Sequence, residues 1–462
     1  MNLGQDLVNF AFATLLKKSE LTRIRLFQEF RSFWENDKEN IKEILSRHFL
    51  NKPFKQETLN RMYYLHRNEI KKSINRKTAG VLDKDPEREL YISEEVHDEN
   101  LSDVLEQCRY SQKIKEIYKK SKFFNTVIAQ PVWLNDKLQI LVITGDECAV
   151  STGDDYLQMR EIKLQKVNDR NEIYFAYWSD TEHYLIDSYG NKELIEGNPQ
   201  GINPYGVLPF SVYRDSEGID FWGEPNWSLF DHQLITDITL TDNLQGELLQ
   251  KFPPLVAQNV QLNPNQSIGY GEVIELKQVM PDLTSSLDYI NPGTDWTAIR
   301  DNETTRRETL YNAEGIPSAS ASLDVIAQSG ASKTIDQIEL LEQREEDKVK
   351  LYYFELDLLN KIRRVYNYHT TQNKLNETGE FEVEYRENKV SKTPADIVTE
   401  REMQIKFGIK TPIDFIMEDL EVGREEALQI YQENINANRE LQNSQQPVNR
   451  LQRLLAETNN GE

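Results

Sequence analysis

The chain has 462 residues, 38% hydrophobic and 28% charged, which is enough apolar material for more than one core, so a miniprotein and a disordered chain are both excluded. Its 77 Asp and Glu outnumber its 54 Lys and Arg, and the net charge of −23 argues against a protein that grips phosphates over a broad surface. Only Cys108 and Cys148 occur, far from a CxxC spacing, so the sequence predicts no disulfide framework and a reducing folding compartment.

The amino-terminal segment contains an apolar patch from Leu7 to Leu16, but no basic region precedes it and no small-residue cleavage site follows it. We expect it to form the first amphipathic helix of a chain that is soluble and not secreted. No apolar run approaches the roughly 18 residues that a bilayer-spanning helix needs, so no membrane partner is predicted.

The first 120 residues follow a helical pattern. One predicted helix has its apolar face at Ile24, Phe27, Phe30 and Trp34, which recur at three- and four-residue spacing. A second is predicted to start near Thr58 and to end before Gly80. Its apolar face is the set Leu59, Met62, Leu65, Ile70 and Ile74.

From about Phe123 the apolar pattern changes to a period of two. The segments TVIAQPVW, LQILVIT, MREIKLQKV, IYFAYWS and HYLIDSY are separated by turn signals, so the sequence predicts a set of antiparallel strands. NPYGVLPF, residues 203–210, closes that sheet with two prolines and a glycine.

Two helices then flank a small β-type insert. The first is predicted from Ser228, as the cap, to Gln250, because the prolines at 253 and 254 end it. Its apolar stripe begins with Phe230, Leu234 and Ile238. The insert reaches about Gly293, and the second helix is predicted from Asp295 to Ala313.

A segment rich in Ser and Ala, 318–332, cannot bury a core of its own. It precedes a single long predicted helix from Thr334 to His369. The middle of this helix, 342–350, is almost wholly charged while both ends are apolar, which predicts a bridge between two packed regions. A bend in the middle and a straight, exposed middle are equally consistent with this pattern.

The carboxy-terminal part is predicted to contain a strand at 380–385 followed by helices. Thr411, Pro412 and Asp414 form a helix start, with Thr as the cap and the carboxylate three residues later. A further helix is predicted from about Gly423, and the sequence from about Asn436 is expected to fray.

Motifs for enzyme chemistry fail at required positions. In GASKT, 330–334, a phosphate-binding loop would need glycines where Ala327 and Ser332 stand. Asp83, Asp85, Glu87 and Glu94 follow calcium-loop spacing, but Arg88 occupies the glycine position. No zinc motif or nucleophile elbow occurs. We therefore predict no enzyme activity, no metal site and no cofactor.

Five segments carry a family resemblance in their order along the chain. They are NEIKKSINRKTAGVLDKDP (68–86), NPYGVLPF (203–210), DHQLITDITLTDNLQGELLQKFPPLVAQN (231–259), the Ser/Ala segment with the long helix after it, and IKTPIDFIMEDLEVGREEALQIYQEN (409–434). In this order they resemble the portal proteins of tailed bacteriophages, in the group of siphophages of Gram-positive hosts. Residues 1–50 match no pattern of that family.

The resemblance implies an α+β fold that is mostly helical, with a β-rich wing, a two-helix stem, a clip, a tunnel loop, a long kinked wing helix and a crown. The implied segments are 1–227 (amino-terminal helices and wing), 228–251 (stem helix), 252–294 (clip), 295–317 (second stem helix), 318–333 (tunnel loop), 334–395 (long wing helix and returning strand), 396–445 (crown) and 446–462 (flexible tail).

The resemblance also implies a function. The chain would form a dodecameric ring at one capsid vertex of the virion, assembled in the host cytoplasm, as the channel for DNA packaging and ejection and the platform for tail attachment. The implied partners are double-stranded DNA without sequence recognition, the terminase large subunit, the major capsid and scaffolding proteins and a head-completion adaptor. An acidic wall suits this role because strong phosphate binding would slow sliding DNA.

Two sets of residues are candidates for the DNA channel. The stem acids predicted to face it are Asp231, Asp237, Asp242 and Glu247, while Phe230, Leu234 and Ile238 should meet the neighbouring helix. The tunnel-loop set is Ser320, Ala321, Ser322, Leu323, Asp324, Val325, Ile326 and Gln328. A disordered surface linker is the alternative for this loop. For the whole chain, the alternatives are another virion connector protein and a DNA-packaging enzyme.

Overall fold

The computed structural model describes most of the chain. The described residues are 18–50, 62–82, 84–93, 96–167, 173–251, 255–262, 276–280, 283–284, 286–289, 295–316, 330–385, 394–420, 422–437 and 439. They divide into two compact units, one formed by 1–327 and 336–388 and the other by 328–335 and 389–462. The amphipathic helix predicted over Leu7 to Leu16 lies outside the described residues.

Three helices open the chain: α1 (Lys18–Glu35), α2 (Lys38–Leu50) and α3 (Glu69–Thr78). The predicted face of α1 is confirmed, since Ile24, Phe27 and Phe30 are buried. The helix predicted from near Thr58 to before Gly80 is confirmed over Glu69–Thr78 only, because residues 62–68 are not helical, and residues 58–61 lie outside the described residues. Asn68 has extended backbone and its side chain accepts the N–H of Lys71, so it caps α3 and fixes the start at Glu69.

The next elements are β1 (Glu87–Ser93), β2 (Val96–His97), α4 (Asn100–Gln107) and α5 (Tyr110–Phe124). The predicted carboxy-terminal strand is confirmed as β15 (Glu380–Glu384), and it joins β1 and β2 in one antiparallel sheet in the order β15-β1-β2. This sheet pairs the last strand of the first unit with strands that lie almost 300 positions earlier in the sequence.

The five predicted antiparallel strands between 126 and 189 are confirmed as β3 (Thr126–Leu134), β4 (Lys137–Ile143), β6 (Met159–Val167), β7 (Ile173–Ser179) and β8 (His183–Ile186). Three further strands, β5 (Cys148–Thr152), β9 (Lys192–Glu193) and β10 (Ser211–Arg214), were not predicted. The eight strands form two sheets, in the orders β10-β3-β4 and β5-β6-β7-β8-β9.

Helix α6 (Trp227–Lys251) and helix α7 (Trp296–Ala313) flank the predicted β insert. The insert contains β11 (Leu255–Gln258), β12 (Val260–Leu262), β13 (Leu276–Gln278) and β14 (Ser286–Tyr289), paired as β11-β14 and β12-β13. Helix α7 begins one residue later than predicted, because Asp295 is its N-cap rather than its first helical residue. The predicted cap of α6 is wrong, because the N–H of Leu229 bonds Asn226 Oδ1 at 2.9 Å and Ser228 is exposed.

Helix α8 (Gly330–His369) begins four residues earlier than predicted. The charged middle of α8, residues 342–350, is partly buried, since Asp347 and Lys348 are buried. It is therefore neither an unpacked connection between two packed regions nor a fully exposed surface. Leu351, Leu358 and other apolar residues of α8 pack in the largest core with α5 and with strands β1, β3, β4 and β15. The first unit is therefore an α+β structure built around α8.

The second unit contains α9 (Pro394–Lys406), α10 (Pro412–Leu420) and helical residues from 424 to 437. The predicted start of α10 is confirmed, since the N–H of Thr411 bonds Asp414 Oδ2 at 2.7 Å. Within the part of the chain that is described, no helix is long and apolar enough to cross a membrane.

Candidate functional site

The predicted channel residues divide between described and undescribed parts of the chain. All eight tunnel-loop candidates, 320–326 and 328, lie outside the described residues. The four stem acids lie on α6, where Asp231 and Glu247 are exposed and Asp242 is half-buried. Asp237 is fully buried, so the prediction that it faces a channel is wrong.

Asp237 instead anchors α6 to the amino-terminal segment of its own chain. Its Oδ2 lies 2.6 Å from Nδ1 of His66, and its Oδ1 accepts the N–H of Arg67 at 3.1 Å. The same Oδ1 accepts Nε2 of Gln233, one helical turn earlier, at 2.9 Å. A carboxylate with this many donors is satisfied without water, which explains why α6 can bury it.

Gln233 extends this anchor to the start of α3. Its Oε1 accepts the N–H groups of Glu69 at 2.8 Å and Ile70 at 3.3 Å, which have no partner inside the helix. Its Nε2 also donates to the carbonyl of Arg67. One amide on α6 therefore caps a helix that lies 164 positions earlier in the sequence.

An aromatic cluster lies on the same side of α6. Phe230 stacks on Phe30 of α1 with ring centroids 4.2 Å apart, and it meets Phe33 edge to face. Leu234 and Ile238 are partly buried against the same cluster. The predicted apolar stripe is confirmed. The helices against which it packs belong to the same chain, which corrects the prediction that it meets the helix of a neighbouring subunit.

Helices α6 and α7 run antiparallel. Asn226, directly before α6, donates to Glu314 directly after α7 at 2.9 Å, and farther along, Arg306 donates to Oγ1 of Thr239 at 3.1 Å. Glu314 is also paired with Lys77 of α3 at 3.0 Å. The two helices form a hairpin that is fixed to the body at its base and carries the β insert between its far ends.

A second buried polar cluster holds α8 against the body. Lys122 of α5 is 1% exposed, and its Nζ lies 2.5 Å from Asp215 and 2.8 Å from Asp347. Tyr118 also donates to Asp347, at 2.7 Å. Burial alone would lower the pKa of Lys122, but the two carboxylates hold it above its usual value.

Arg88 and Glu355 form a further buried pair between β1 and α8. Nε of Arg88 donates to Glu355 at 2.6 Å and Nη2 donates at 3.3 Å, so the contact is bidentate. The hydroxyl of Tyr385 also donates to Glu355, and burial together with that carboxylate raises the pKa of Tyr385. The middle of α8 is thus fixed at two charged points.

Sequence reasoning missed Gln233, His66, Lys122 and Asp347. A signal for two of the polar positions was available. Gln233 and Asp237 are one turn apart and fall between Phe230, Leu234 and Ile238, so they lie beside the apolar stripe where solvated residues are not expected. Lys122 carried no such signal, because it is one of five lysines in the same helix and nothing in the sequence distinguishes it from the other four.

The described residues show no constellation for metal chemistry, since no group of three or more His, Cys, Asp or Glu is placed to hold an ion. Of the calcium-like spacing, Asp85 pairs with Lys115, and Glu87–Ser93 is a strand rather than a loop. A groove of about 650 Å³ lies between α8 and β10. Lys350 and Lys361 on its rim donate to the backbone carbonyls of Asp215 and Phe210.

No protein-family model matches the chain, and no curated protein matches its sequence. Among solved structures, the chain is similar to one described as "Neck of empty GTA particle computed with C6 symmetry", at 10% sequence identity and a TM-score of 0.36. The match covers 73% of this chain and 85% of that chain. At this TM-score the likeness assigns no function to the chain.

Proposed function

We propose that this protein is a portal-type head-to-tail connector of a tailed bacteriophage. In this role, copies of the chain form a dodecameric ring at one capsid vertex, through which DNA enters during packaging and leaves at infection. The ring also provides the platform for head completion and tail attachment.

The observation that carries the proposal is the helical hairpin of α6 and α7. The hairpin follows the two antiparallel sheets formed by strands β3 to β10, carries a small β insert between its far ends, and precedes the 40-residue helix α8. This is the order of wing, stem, clip and long wing helix that the sequence resemblance implies. A ring of identical subunits suits such a hairpin, because each copy can present one surface of it to each neighbour.

The base of the hairpin supports the same role. Gln233 and Asp237 fix the hairpin to α3 and to the segment before it through buried and partly buried hydrogen bonds, and Glu314 adds an ion pair with Lys77. A channel wall that experiences moving DNA needs rigid attachment, and satisfied buried polar networks supply rigidity. Asp231 and Glu247 remain candidates for the channel side, because both are exposed on α6.

The partners follow from the proposed role. DNA would pass without sequence recognition, and a net charge of −23 on each copy avoids the phosphate contacts that would hold it. The terminase large subunit would dock for packaging, the capsid and scaffolding proteins would surround the ring, and a head-completion adaptor would bind it afterwards.

The test is electron microscopy of the purified full-length protein together with mass photometry. We expect pored rings whose mass is about twelve times that of the single chain. Particles that stay monomeric at all concentrations would overturn the proposal. Rings that assemble but support no packaging with a terminase would favour a different virion connector.

A further inference from the structure

Strand β10 is an edge strand of the sheet β10-β3-β4, and among the strands that the structure describes only β3 pairs with it. The N–H of Asp215, directly after β10, bonds the carbonyl of Asn125. Backbone groups of an antiparallel strand point alternately to its two sides, so those of Tyr213 also face β3. The N–H and C=O groups of Val212 and Arg214 therefore point away from the sheet, and no hydrogen bond between described residues uses them.

The outer side of β10 lies along the groove of about 650 Å³ between this strand and α8. The groove is also lined by Leu157 and Met159 at the start of β6, and all of these elements belong to the first unit. The lining residues of α8 extend from Lys350 to Lys361, about 16 Å of helix, which equals about five residues of an extended strand. The groove therefore has the length of a short added strand.

Two lysines of α8 limit where a partner could pair with β10. Lys361 donates to the carbonyl of Phe210, directly before the strand, and Lys350 donates to the carbonyl of Asp215, directly after it. Lysines beside an edge strand are one of the devices that block unwanted pairing. The centre of the strand, with its outward backbone groups, is the part that remains open to another strand.

Arg214 indicates the charge of such a partner. Its half-buried guanidinium lines the groove and donates to the carbonyls of Phe221 at 3.1 Å and Leu157 at 2.8 Å. No described carboxylate forms an ion pair with it, and burial lowers the pKa of Arg214. The two lysines of the groove, by contrast, each pair with an acid of α8. A half-buried cation without a counter-ion favours an anionic group in the groove.

We propose that this groove receives an extended acidic segment of a partner protein, which pairs with β10 as an added strand and places a carboxylate beside Arg214. Main-chain hydrogen bonds to the outward groups of β10 supply the affinity, as in other cases of strand addition. The carboxylate selects acidic segments over basic ones. This inference goes beyond the proposed function and does not depend on the ring.

Fluorescence polarisation with the full-length protein tests the inference. The probe is a fluorescein-labelled peptide, Thr-Val-Glu-Val-Thr, whose β-branched residues favour an extended strand. One comparison peptide has lysine in place of the glutamate. The other carries N-methyl groups on its three central residues, which therefore cannot donate to β10. We expect the dissociation constant of each comparison peptide to be at least about tenfold higher than that of the probe.

Two variants test the two sides of the contact. Val212→Pro removes an outward N–H and leaves the bonds to β3, because an edge strand accepts proline where its N–H faces away from the sheet. We expect it to raise the dissociation constant of the probe by at least about tenfold. Arg214→Gln keeps a donor group and removes the charge, so the glutamate and lysine peptides should bind it equally.

The matched control is Val142→Pro on β4, the other edge strand of the same sheet. Val142 pairs with Ala129, which pairs with Ser211 on its other side in the hydrogen-bonding register, so the N–H of Val142 also points away from β3. This variant should bind the probe as the parent does.

Failure of the parent to bind the probe, or equal binding of the N-methylated peptide, would overturn the inference. Loss of oligomers in V212P but not in V142P would place a second copy of the chain in the groove and would overturn the partner protein. If V212P fails to fold, R214Q decides, because an unchanged preference for glutamate there would overturn the role of the cation. Pored rings without peptide binding would leave the proposed function intact.

Discussion

Oδ2 of Asp237 lies 2.6 Å from Nδ1 of His66, although the two residues are 171 positions apart. Nε2 of His66 lies 3.0 Å from Oδ1 of Asn36, at the end of α1. One imidazole therefore joins α6 to the amino-terminal helices. Residues 1–50 match no family pattern, yet α1 and α2 form the body on which the hairpin stands.

Removing the carboxylate of Asp237 should destabilise the first unit. Asp237→Ala leaves the N–H of Arg67 and the buried Nε2 of Gln233 without this acceptor, and we expect a loss of about 2–4 kcal/mol in its free energy of unfolding. Urea denaturation followed by tryptophan fluorescence measures the loss.

The matched control is Asp231→Ala, six residues earlier on the same helix. Asp231 is exposed, so its removal should change the free energy of unfolding by no more than about 0.5 kcal/mol. Equal effects of the two substitutions would contradict the anchor role of Asp237.

How much of the fold could be predicted from the sequence depends on how far apart in the chain the interacting residues lie. Local signals sufficed for strands β3, β4, β6, β7 and β8 and for the start of α10 at Thr411 and Asp414, because each depends on neighbours within a few positions. The start of α3 was misplaced, since it depends on Asn68 and on Gln233, which arrives from 164 positions away.

The candidate site shows the same limit. The exposed acids and the apolar stripe of α6 could be predicted from the sequence. An aspartate in a helix, however, is expected to face solvent unless the hydrogen-bond donors that reach it from other elements are known. Asp237 and Asp347 are both buried because His66 and Lys122 meet them from other elements. No spacing rule connects such residues, because only the tertiary fold brings them together.

The buried lysine of α5 offers a second prediction. Lys122→Met leaves Asp347 buried without its cation, so we expect a loss of about 3–5 kcal/mol in the free energy of unfolding. The double variant K122M/D347L removes both charges and should recover part of this loss. A double variant less stable than K122M would show that the pair is not the dominant interaction there.

The first unit should lose stability on mild acidification. Burial lowers the pKa of His183, which stacks on Trp178, and the pKa of His369, which stacks on Trp133, below their usual value of 6.5. The unfolded chain then binds more protons than the folded chain just below pH 6.5, so the free energy of unfolding falls as pH falls through that range.

Thermal melts between pH 7.5 and 5.5 measure this effect. The variant H183Q/H369Q should show a weaker pH dependence than the parent. A parental slope in the double variant would assign the acid sensitivity to other groups.

The Ser/Ala segment before α8 provides the test closest to function. Deleting Leu323–Ile326 removes its sizeable apolar side chains, and Lys333 is the only basic residue between Arg307 and Arg344. If this segment constricts a DNA channel, the deletion should leave ring assembly intact and impair DNA packaging or retention. Particle counts by electron microscopy and nuclease-protected DNA per particle measure the two properties separately. A matched deletion within the polar tail, residues 456–459, should affect neither. Loss of the ring in the Leu323–Ile326 deletion would instead make the segment structural, since apolar side chains that only touch DNA are not required for subunits to associate.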